Sequence, residues 1–218
     1  WDSNGIQIID VSNPSAIVAK GEFAHANLLY PGGVETFTID SSTYAIVTGY
    51  TADTVQILDI SDPTNIVAKD SLENSGSLEL DGAFGVDVFT AGASTYAIVT
   101  GYDDDGVQII DVSDPTDITA VDSLADSGSL ELDGADGVVT FTIGLTTYAI
   151  VVSLDDDGVQ IIQLSTGVSY ARDQTIPTET LALTDTITKA ANIQISDTIS
   201  FTDITTGVED AKDQTIPT

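Results

Sequence analysis

The chain of 218 residues carries 35 acidic and 5 basic side chains, which gives a formal net charge of −30, and it contains no cysteine and one histidine. A chain this acidic repels nucleic-acid phosphates and anionic lipid head groups, so we expect no nucleic-acid partner. The absence of cysteine excludes disulfides, thiolate zinc sites and a cysteine nucleophile, and one histidine leaves no histidine cluster for a metal.

The hydropathy of the chain separates it from disordered acidic proteins. Hydrophobic residues make up 42% and the mean hydropathy is +0.17, so we expect a packed interior beneath a negative surface. Such a surface suits high ionic strength, where salt screens the repulsion, and this favours an extracellular or cell-surface location. The longest apolar runs, such as 149–152, are far shorter than the roughly 20 residues of a membrane span, so no membrane insertion is expected in this segment.

Three motifs recur along the chain with a period of about 52 residues. The sequence GIQIID at 5–10 returns as TVQILD at 54–59, GVQIID at 106–111 and GVQIIQ at 158–163. TYAIV at 43–47 returns at 95–99 and 147–151, and the segment 71–82 returns nearly unchanged at 123–134. A period of this length is typical of propellers and solenoid arrays.

Each period predicts four short strands, which in one full copy cover 85–90, 95–100, 107–112 and 118–123. A turn at 103–106 separates the second strand from the third, and we expect its Gly106 to take the positive φ. Asp114-Pro115 ends the third strand, because proline cannot donate to a ladder. No helical period appears, and the gaps are too short for crossover helices, so the fold class is all-β.

The middle strands are apolar on both faces. Val107 and Ile109 point one way and Ile110 and Val112 the other, since side chains alternate along a strand. A sheet with one face in water would show a cleaner alternation of polar and apolar residues. The pattern therefore predicts four-stranded sheets covered on both sides by neighbours, as in β-propeller blades.

The segments GVQIIDVSDP at 106–115 and GIQIIDVSNP at 5–14 resemble the LVIVD repeat. That family is a β-propeller-type repeat of bacterial and archaeal extracellular and surface proteins. The resemblance covers residues 1–165 and implies propeller blades without a common catalytic residue. The last copy departs from the pattern, because Gln163 replaces the aspartate and STGV at 165–168 replaces the proline break.

The phase of the repeat predicts 13 strands, divided as two, four, four and three. The chain begins at Trp1 in a turn between a second and a third strand. Because propellers close with roughly four to eight blades, we expect an incomplete propeller, the C-terminal part of a longer one. The alternative is an open stack, or an assembly closed by another chain that pairs with an open blade edge.

Residues 166–218 differ in composition from the blades. They are rich in threonine and aspartate, and TGVSYARDQTIPT at 166–178 returns as TGVEDAKDQTIPT at 206–218, a period of 40. The composition is similar to the stalks of surface proteins. We expect a repeat tail that is β-rich or mobile.

Two triplets of aspartate suggest a calcium site, because calcium takes six to eight oxygen ligands. The turns lack the alternate spacing and the distant glutamate of an EF-hand loop. The alternative is a hairpin turn whose carboxylates accept hydrogen bonds from nearby backbone amides. Apart from calcium no cofactor is predicted, and the candidate ligands are Asp103, Asp104, Asp105, Asp155, Asp156 and Asp157.

Two further carboxylate pairs lie in the loops between copies, Glu79 with Asp81 and Glu131 with Asp133. Alternate spacing puts both members of a pair on one side of an extended segment, where they could act as acid and base or hold a cation. Their recurrence in consecutive copies favours a structural role, since an active site normally appears once.

His25 and a recurring aromatic position complete the candidates. His25 has no partner serine or aspartate in a recognisable motif, which favours packing or surface exposure over catalysis. Trp1, Tyr50 and Tyr102 occupy one repeat position, where an aromatic ladder could bind sugars or pack between blades.

Three functions follow from these patterns. The first is a non-catalytic surface protein acting in adhesion, display or structural assembly, with protein or glycan partners or with self-assembly through open blade edges. The second is a calcium-dependent binding module. The third is a glycan-active enzyme that uses carboxylates alone, which would place a carboxylate pair with one raised pKa in a single blade.

Overall fold

The computed structural model describes residues 4–166, which form an all-β structure of four antiparallel sheets. The sheets contain two, four, four and three strands, so the predicted division is confirmed. The predicted tail lies outside the described residues beyond position 166. The strands are β1 (Gly5–Asp10), β2 (Val18–Ala24), β3 (Pro31–Ile39), β4 (Ser42–Gly49), β5 (Thr54–Asp59), β6 (Val67–Glu73), β7 (Ala83–Ala91), β8 (Ser94–Gly101), β9 (Gly106–Asp111), β10 (Thr119–Ala125), β11 (Ala135–Ile143), β12 (Thr146–Ser153) and β13 (Gly158–Thr166).

Each sheet is a meander in chain order, and we call the sheets blades 1 to 4. Blade 1 is β1-β2, blade 2 is β3 to β6, blade 3 is β7 to β10 and blade 4 is β11 to β13. The first strands of blades 2, 3 and 4 contact one another in succession, β3 with β7 and β7 with β11. This arrangement is the one expected of propeller blades that radiate from their first strands.

The turn after the second strand forms where it was predicted, but a different residue takes the positive φ. Asp53, Asp105 and Asp157 have φ values of 52°, 55° and 52°. Gly106 instead begins β9, where a Cβ atom would lie 2.8 Å from the carbonyl oxygen of Leu124. The glycine therefore allows a close approach of β10, and the aspartate tolerates the left-handed turn because its short polar side chain bonds locally.

The apolar core lies between the blades, as the two-faced strands predict. Ala97 and Val99 face blade 2 and pack with Ile46 and Ile57, whereas Ile98 faces blade 4. A third cluster joins blade 1 to blade 2 and contains Leu28, Ala45, Val47 and Leu58. The central strands of blades 2 and 3 are thus buried on both faces, and these blades depend on their neighbours to cover their apolar side chains.

A buried glutamine in the third strand satisfies backbone groups at an irregular point in the fourth. The β9–β10 register shifts between Ala120 and Asp122. The Nε2 atom of Gln108 donates to the carbonyl of Asp122 at 2.7 Å, and its Oε1 accepts the N–H of Glu79 at 3.2 Å. Gln56 makes the equivalent 2.8 Å bond to the carbonyl of Asp70. The glutamine of the repeat is therefore a buried polar link between a β-bulge and a loop.

Threonine hydroxyls join neighbouring blades next to their first strands. Thr100 Oγ1 accepts the N–H of Gly85 at 2.7 Å and donates to the carbonyl of Asp136 in blade 4 at 2.6 Å. Thr48 makes the same 2.6 Å bond from blade 2 to the carbonyl of Phe84. These hydroxyls pair carbonyls that sit at the interface between blades.

The outer face of blade 4 differs from the corresponding face of blade 3. Val152 stands where Thr100 does, Val139 where Asp87 does, and Leu154 where Tyr102 does. The three blade 3 residues all hydrogen-bond to blade 4. Thr100 donates to the carbonyl of Asp136, the Asp87 carboxylate accepts the N–H of Thr140, and the Tyr102 hydroxyl donates to Asp155. In blade 4 the three replacements are apolar and exposed.

No helix in residues 4–166 is both long and apolar enough to cross a membrane.

Replacing Gln108 by leucine tests the buried link. We expect Gln108→Leu to lower the free energy of unfolding by about 1–3 kcal/mol for each buried backbone group left unpaired. Gln160→Leu is the matched control, because Gln160 holds the same repeat position but its hydrogen bonds are exposed to solvent. The control should change stability by about 0.5 kcal/mol or less, as surface substitutions do. Urea unfolding of both variants measures the difference, and equal losses would contradict the proposed role of Gln108.

Candidate functional site

The second aspartate of each triplet binds the loop that precedes the blade. Asp104 Oδ2 accepts the N–H of Asp81 at 2.7 Å, and Asp156 Oδ2 accepts the N–H of Asp133 at 3.0 Å. Asp104 also accepts a weaker 3.4 Å bond from the side-chain amide of Asn74. The same contact thus recurs in blades 3 and 4, and it joins the turn to a loop 23 positions earlier in the chain.

Three of the other four aspartates, Asp103, Asp105 and Asp155, contact a neighbouring copy of the repeat. Asp105 Oδ1 accepts the N–H of Gly134 at 2.9 Å, and Asp155 Oδ2 accepts the hydroxyl of Tyr102 at 3.4 Å. Asp103 lies beside the hydroxyl of Tyr50, and burial together with this carboxylate raises the pKa of Tyr50. Asp157 occupies the left-handed turn position. The six candidate calcium ligands are therefore divided between two blades, three in each.

Within residues 4–166 no group of three or more histidine, aspartate or glutamate side chains is arranged to hold a metal ion. The carboxylates of each triplet point toward different backbone or phenol donors, as described above. Calcium binding stays a prediction of the sequence.

Carboxylates nevertheless crowd at two equivalent places. The charge of Asp105 is the main cause that raises the pKa of Asp133, and Asp156 adds to it. At the equivalent place one blade earlier, burial is the main cause that raises the pKa of Asp81, followed by the charge of Asp53. Because the raised values recur in consecutive blades, they reflect the repeat and do not mark a single active centre.

The raised pKa of Asp133 sets a testable pH dependence. A carboxyl with a higher pKa in the folded chain binds its proton more tightly when folded, so its ionisation destabilises the fold as pH rises through that pKa. We expect Asp133→Asn to raise the melting temperature at pH 7. The gain should vanish near pH 3, below the ordinary aspartate pKa of about 3.9.

The matched control for that test is Asp117→Asn, which removes one negative charge from an exposed turn of blade 3. Differential scanning calorimetry of both variants at the two pH values separates the loss of local repulsion around Asp133 from the effect of a change in net charge. An equal rise in both variants would show that only the total charge matters.

A thermal melt tests the calcium prediction directly. A ligand that binds only the folded chain stabilises it by about 2.7 kcal/mol at 100 times its dissociation constant. A rise in melting temperature with millimolar calcium, absent with magnesium and reversed by EDTA, would support ligation by the aspartate triplets. Equal small rises with both cations would indicate screening of the −30 charge instead.

A different feature forms a cleft, and the sequence pattern did not single it out as a whole. A cavity of about 440 Å³ opens where blades 2, 3 and 4 meet, within the 300–1,000 Å³ range of ligand pockets. We call it the aromatic cleft. Its lining residues are Tyr30, Tyr50, Thr51, Phe84, Tyr102, Asp136 and Leu154.

The aromatic rings of the cleft form a connected group centred on Tyr50. The centroid of its ring lies 5.8 Å from that of Tyr30, 6.0 Å from that of Phe84 and 6.2 Å from that of Tyr102. The three interplanar angles are 62°, 88° and 60°, so each pair meets edge to face. Such contacts are favourable for aromatic rings, and here they fix the rings in place.

Tyr30 occupies a backbone conformation that its side chain disfavours. Its φ is 56°, and the equivalent residues of the next two copies are Gly82 and Gly134, with φ of 62° and 65°. A left-handed conformation costs a residue with a Cβ roughly 1–2 kcal/mol. The Tyr30 side chain is 63% exposed, so burial of the ring offsets little of that cost. A strained backbone conformation that occurs in one copy of a repeat, where the other copies have glycine, indicates a local function.

The cleft is assembled at positions where the copies differ. Phe84 stands where blade 2 has Gly32 and blade 4 has Asp136, just as Tyr30 replaces a glycine. Sequence reasoning identified the recurring tyrosine position but missed Tyr30 and Phe84. The signal that could have found them is the departure of a bulky residue from glycine in an otherwise regular repeat.

His25 is an exposed residue with a structural role, as the sequence analysis favoured. It is exposed, its Nδ1 accepts the N–H of Asn27 at 3.3 Å, and it precedes a short 3-10 helix at Ala26–Leu28. Its ring stacks on Phe23 with centroids 6.1 Å apart. The histidine therefore caps the turn that leads to Tyr30.

Comparison with known folds gives distant likenesses. A putative 6-phosphogluconolactonase from Bacteroides uniformis has a TM-score of 0.53 at 12% identity, over 74% of this chain and 48% of that one. A protein from Lactobacillus plantarum has a TM-score of 0.45 at 15% identity, over 75% of this chain and 52% of that one. The exo-β-1,3-galactanase of Phanerochaete chrysosporium has a TM-score of 0.45 at 13% identity, over 74% of this chain and 40% of that one. The chain spans about half the length of these structures or less, and the likeness concerns the fold alone.

Comparison of the sequence is more specific. No curated protein matches it. The LVIVD repeat model matches residues 2–25, 49–73 and 95–126, and these segments contain strands of blades 1, 2 and 3. Three matches to the LVIVD repeat on three successive blades confirm the predicted resemblance, and the sheets have a β-propeller-type architecture.

Proposed function

We propose that this protein is a non-catalytic binding module of the cell surface or extracellular space, acting in adhesion, display or structural assembly. The observation that carries the proposal is the make-up of the aromatic cleft. Its lining holds one exposed ring, three half-buried rings and one carboxylate residue, Asp136, while the nearby Asp103 and Asp155 face the hydroxyls of Tyr50 and Tyr102. Most glycoside hydrolases use a pair of carboxylates that flank the scissile bond. Such a lining is suited to binding a ligand without transforming it.

The carboxylate pairs of the loops support the same conclusion. The Glu79 N–H donates to Gln108 and the Asp81 N–H donates to Asp104, so the backbone of this segment is tied into blade 3. Glu131 and Asp133 repeat those contacts with Gln160 and Asp156. Each pair thus belongs to the connection between blades, and this leaves the aromatic cleft as the better candidate for contact with a partner.

The surface charge supports an extracellular setting. Two basic side chains fall within residues 4–166, and Lys20 and Lys69 each lie 3.1 Å from an aspartate, Asp10 and Asp59 respectively. Carboxylates therefore dominate the described surface. A surface of this kind stays soluble in salt and attracts partners of opposite charge.

An adhesion assay tests the proposal. Beads carrying the full chain would be applied to a glycan array and to immobilised copies of the same chain, with Tyr30→Gly beads in parallel. We expect retention on at least one of these surfaces and weaker retention of the Tyr30→Gly beads, because the variant removes an exposed ring of the cleft. The glycans would be recovered and analysed for cleavage.

Two results would contradict the proposal. One is the absence of retention on both the array and the second copy. The other is turnover of any arrayed glycan, which would favour the carboxylate-based enzyme. Tyr30→Gly serves well here because glycine adopts a positive φ readily, so loss of folding is not expected.

A further inference from the structure

The aromatic cleft offers ring faces around one central tyrosine. Tyr30, Phe84 and Tyr102 each meet the Tyr50 ring at a steep angle, and all four rings line the same cavity. The face of an aromatic ring carries negative electrostatic potential. Several ring faces around one space are therefore suited to a positively charged group, which is attracted within about 6 Å of a ring centroid.

The charges around the cleft have the same sign. The Asp136 carboxylate is part of the lining and is half-buried. Two more carboxylates, those of Asp103 and Asp155, lie beside the hydroxyls of Tyr50 and Tyr102. Of the described residues, none that lines the cleft is basic. A cation entering the cleft would therefore meet a counter-ion and no competing positive side chain.

We propose that the aromatic cleft binds an alkylammonium group, with Asp136 as its counter-ion. The inference rests on the proposed binding function and gives it a ligand class. The net charge of −30 raises the local concentration of cations at the surface and repels anionic ligands. A neutral saccharide could also stack on tyrosine rings and donate a hydroxyl to Asp136, but the net charge would not concentrate it at the surface as it does a cation. The observed charge therefore favours the cation.

The strain at Tyr30 fits this assignment. A glycine at that position, as in blades 3 and 4, would relieve the backbone and leave one wall of the cleft without a ring. Tyr30 also connects to the central ring through the backbone, since its carbonyl accepts the N–H of Tyr50 at 3.0 Å. The exposed ring is thus held in position at one side of the cleft by a fixed turn.

Choline is the probe for the test, and 3,3-dimethylbutan-1-ol is its neutral counterpart of nearly the same shape. Saturation-transfer NMR titrations at constant ionic strength would use the full chain and the variants Tyr30→Gly, Tyr30→Phe and Asp136→Asn. Asp117→Asn controls for the loss of one charge elsewhere. A thermal melt of each variant confirms folding, and Tyr30→Gly should melt no lower than the parent chain.

We expect choline to bind and the neutral alcohol to bind at least about tenfold more weakly. Tyr30→Gly and Asp136→Asn should each weaken choline binding by about tenfold, whereas Tyr30→Phe and Asp117→Asn should leave it within about twofold. Equal affinity in all variants would overturn the proposal, since it would show non-specific attraction to an acidic surface. Equal binding of choline and the alcohol would overturn it by showing a merely apolar site, and so would the absence of choline binding.

The same titration with Nα-acetyl-lysine amide distinguishes two sources of the ammonium group. Binding of choline alone indicates a free quaternary amine, and binding of the lysine derivative indicates a side chain of a partner protein. Maltose in a further titration tests whether the cleft binds a neutral saccharide. Tighter binding of maltose than of choline would overturn the proposal that the ligand is a cation. If neither ammonium compound binds in these titrations but the beads are retained in the adhesion assay, the proposed ligand class is wrong and the proposed adhesive function is still supported.

Discussion

The structure depends on burial of the central strands from both sides. The alternating residues of β8 divide between two cores, with Ala97 and Val99 toward blade 2 and Ile98 toward blade 4. A single isolated sheet of this kind would expose both apolar faces to water, at a cost of about 25 cal/mol per Å². Each blade therefore depends on its neighbours, and Thr100 and Asp105 supply polar contacts from blade 3 to the next copy.

Repeated and unrepeated residues have different parts in this molecule. The second aspartate of each triplet, Asp104 or Asp156, holds the same backbone group in its blade, so it is explained by the architecture. Tyr30 and Phe84 occur once, and they lie together in one cleft. In an array of near-identical units, a ligand site is recognised by the residues that break the period, because the periodic ones already serve the fold.

The strands could be predicted well because their signal is local. The period, the two-faced apolar runs and the proline breaks determine strand number and core faces. The site could not be predicted as a whole, because the cleft unites residues as far apart in the chain as Tyr30 and Leu154, which meet only once the blades are stacked. The left-handed turn was assigned to Gly106 on propensity, whereas the close approach of β10 required glycine there and the turn went to Asp105.

The apolar outer face of blade 4 has a consequence for assembly. A further blade of the ordinary kind placed on it would bury a carbonyl like that of Asp136 without a threonine hydroxyl, because Val152 cannot donate. It would also bury an amide like that of Thr140 without a carboxylate acceptor, since Val139 replaces it. Each orphaned group costs about 1–3 kcal/mol. This face is therefore poorly matched to the first strand of an ordinary copy of this repeat.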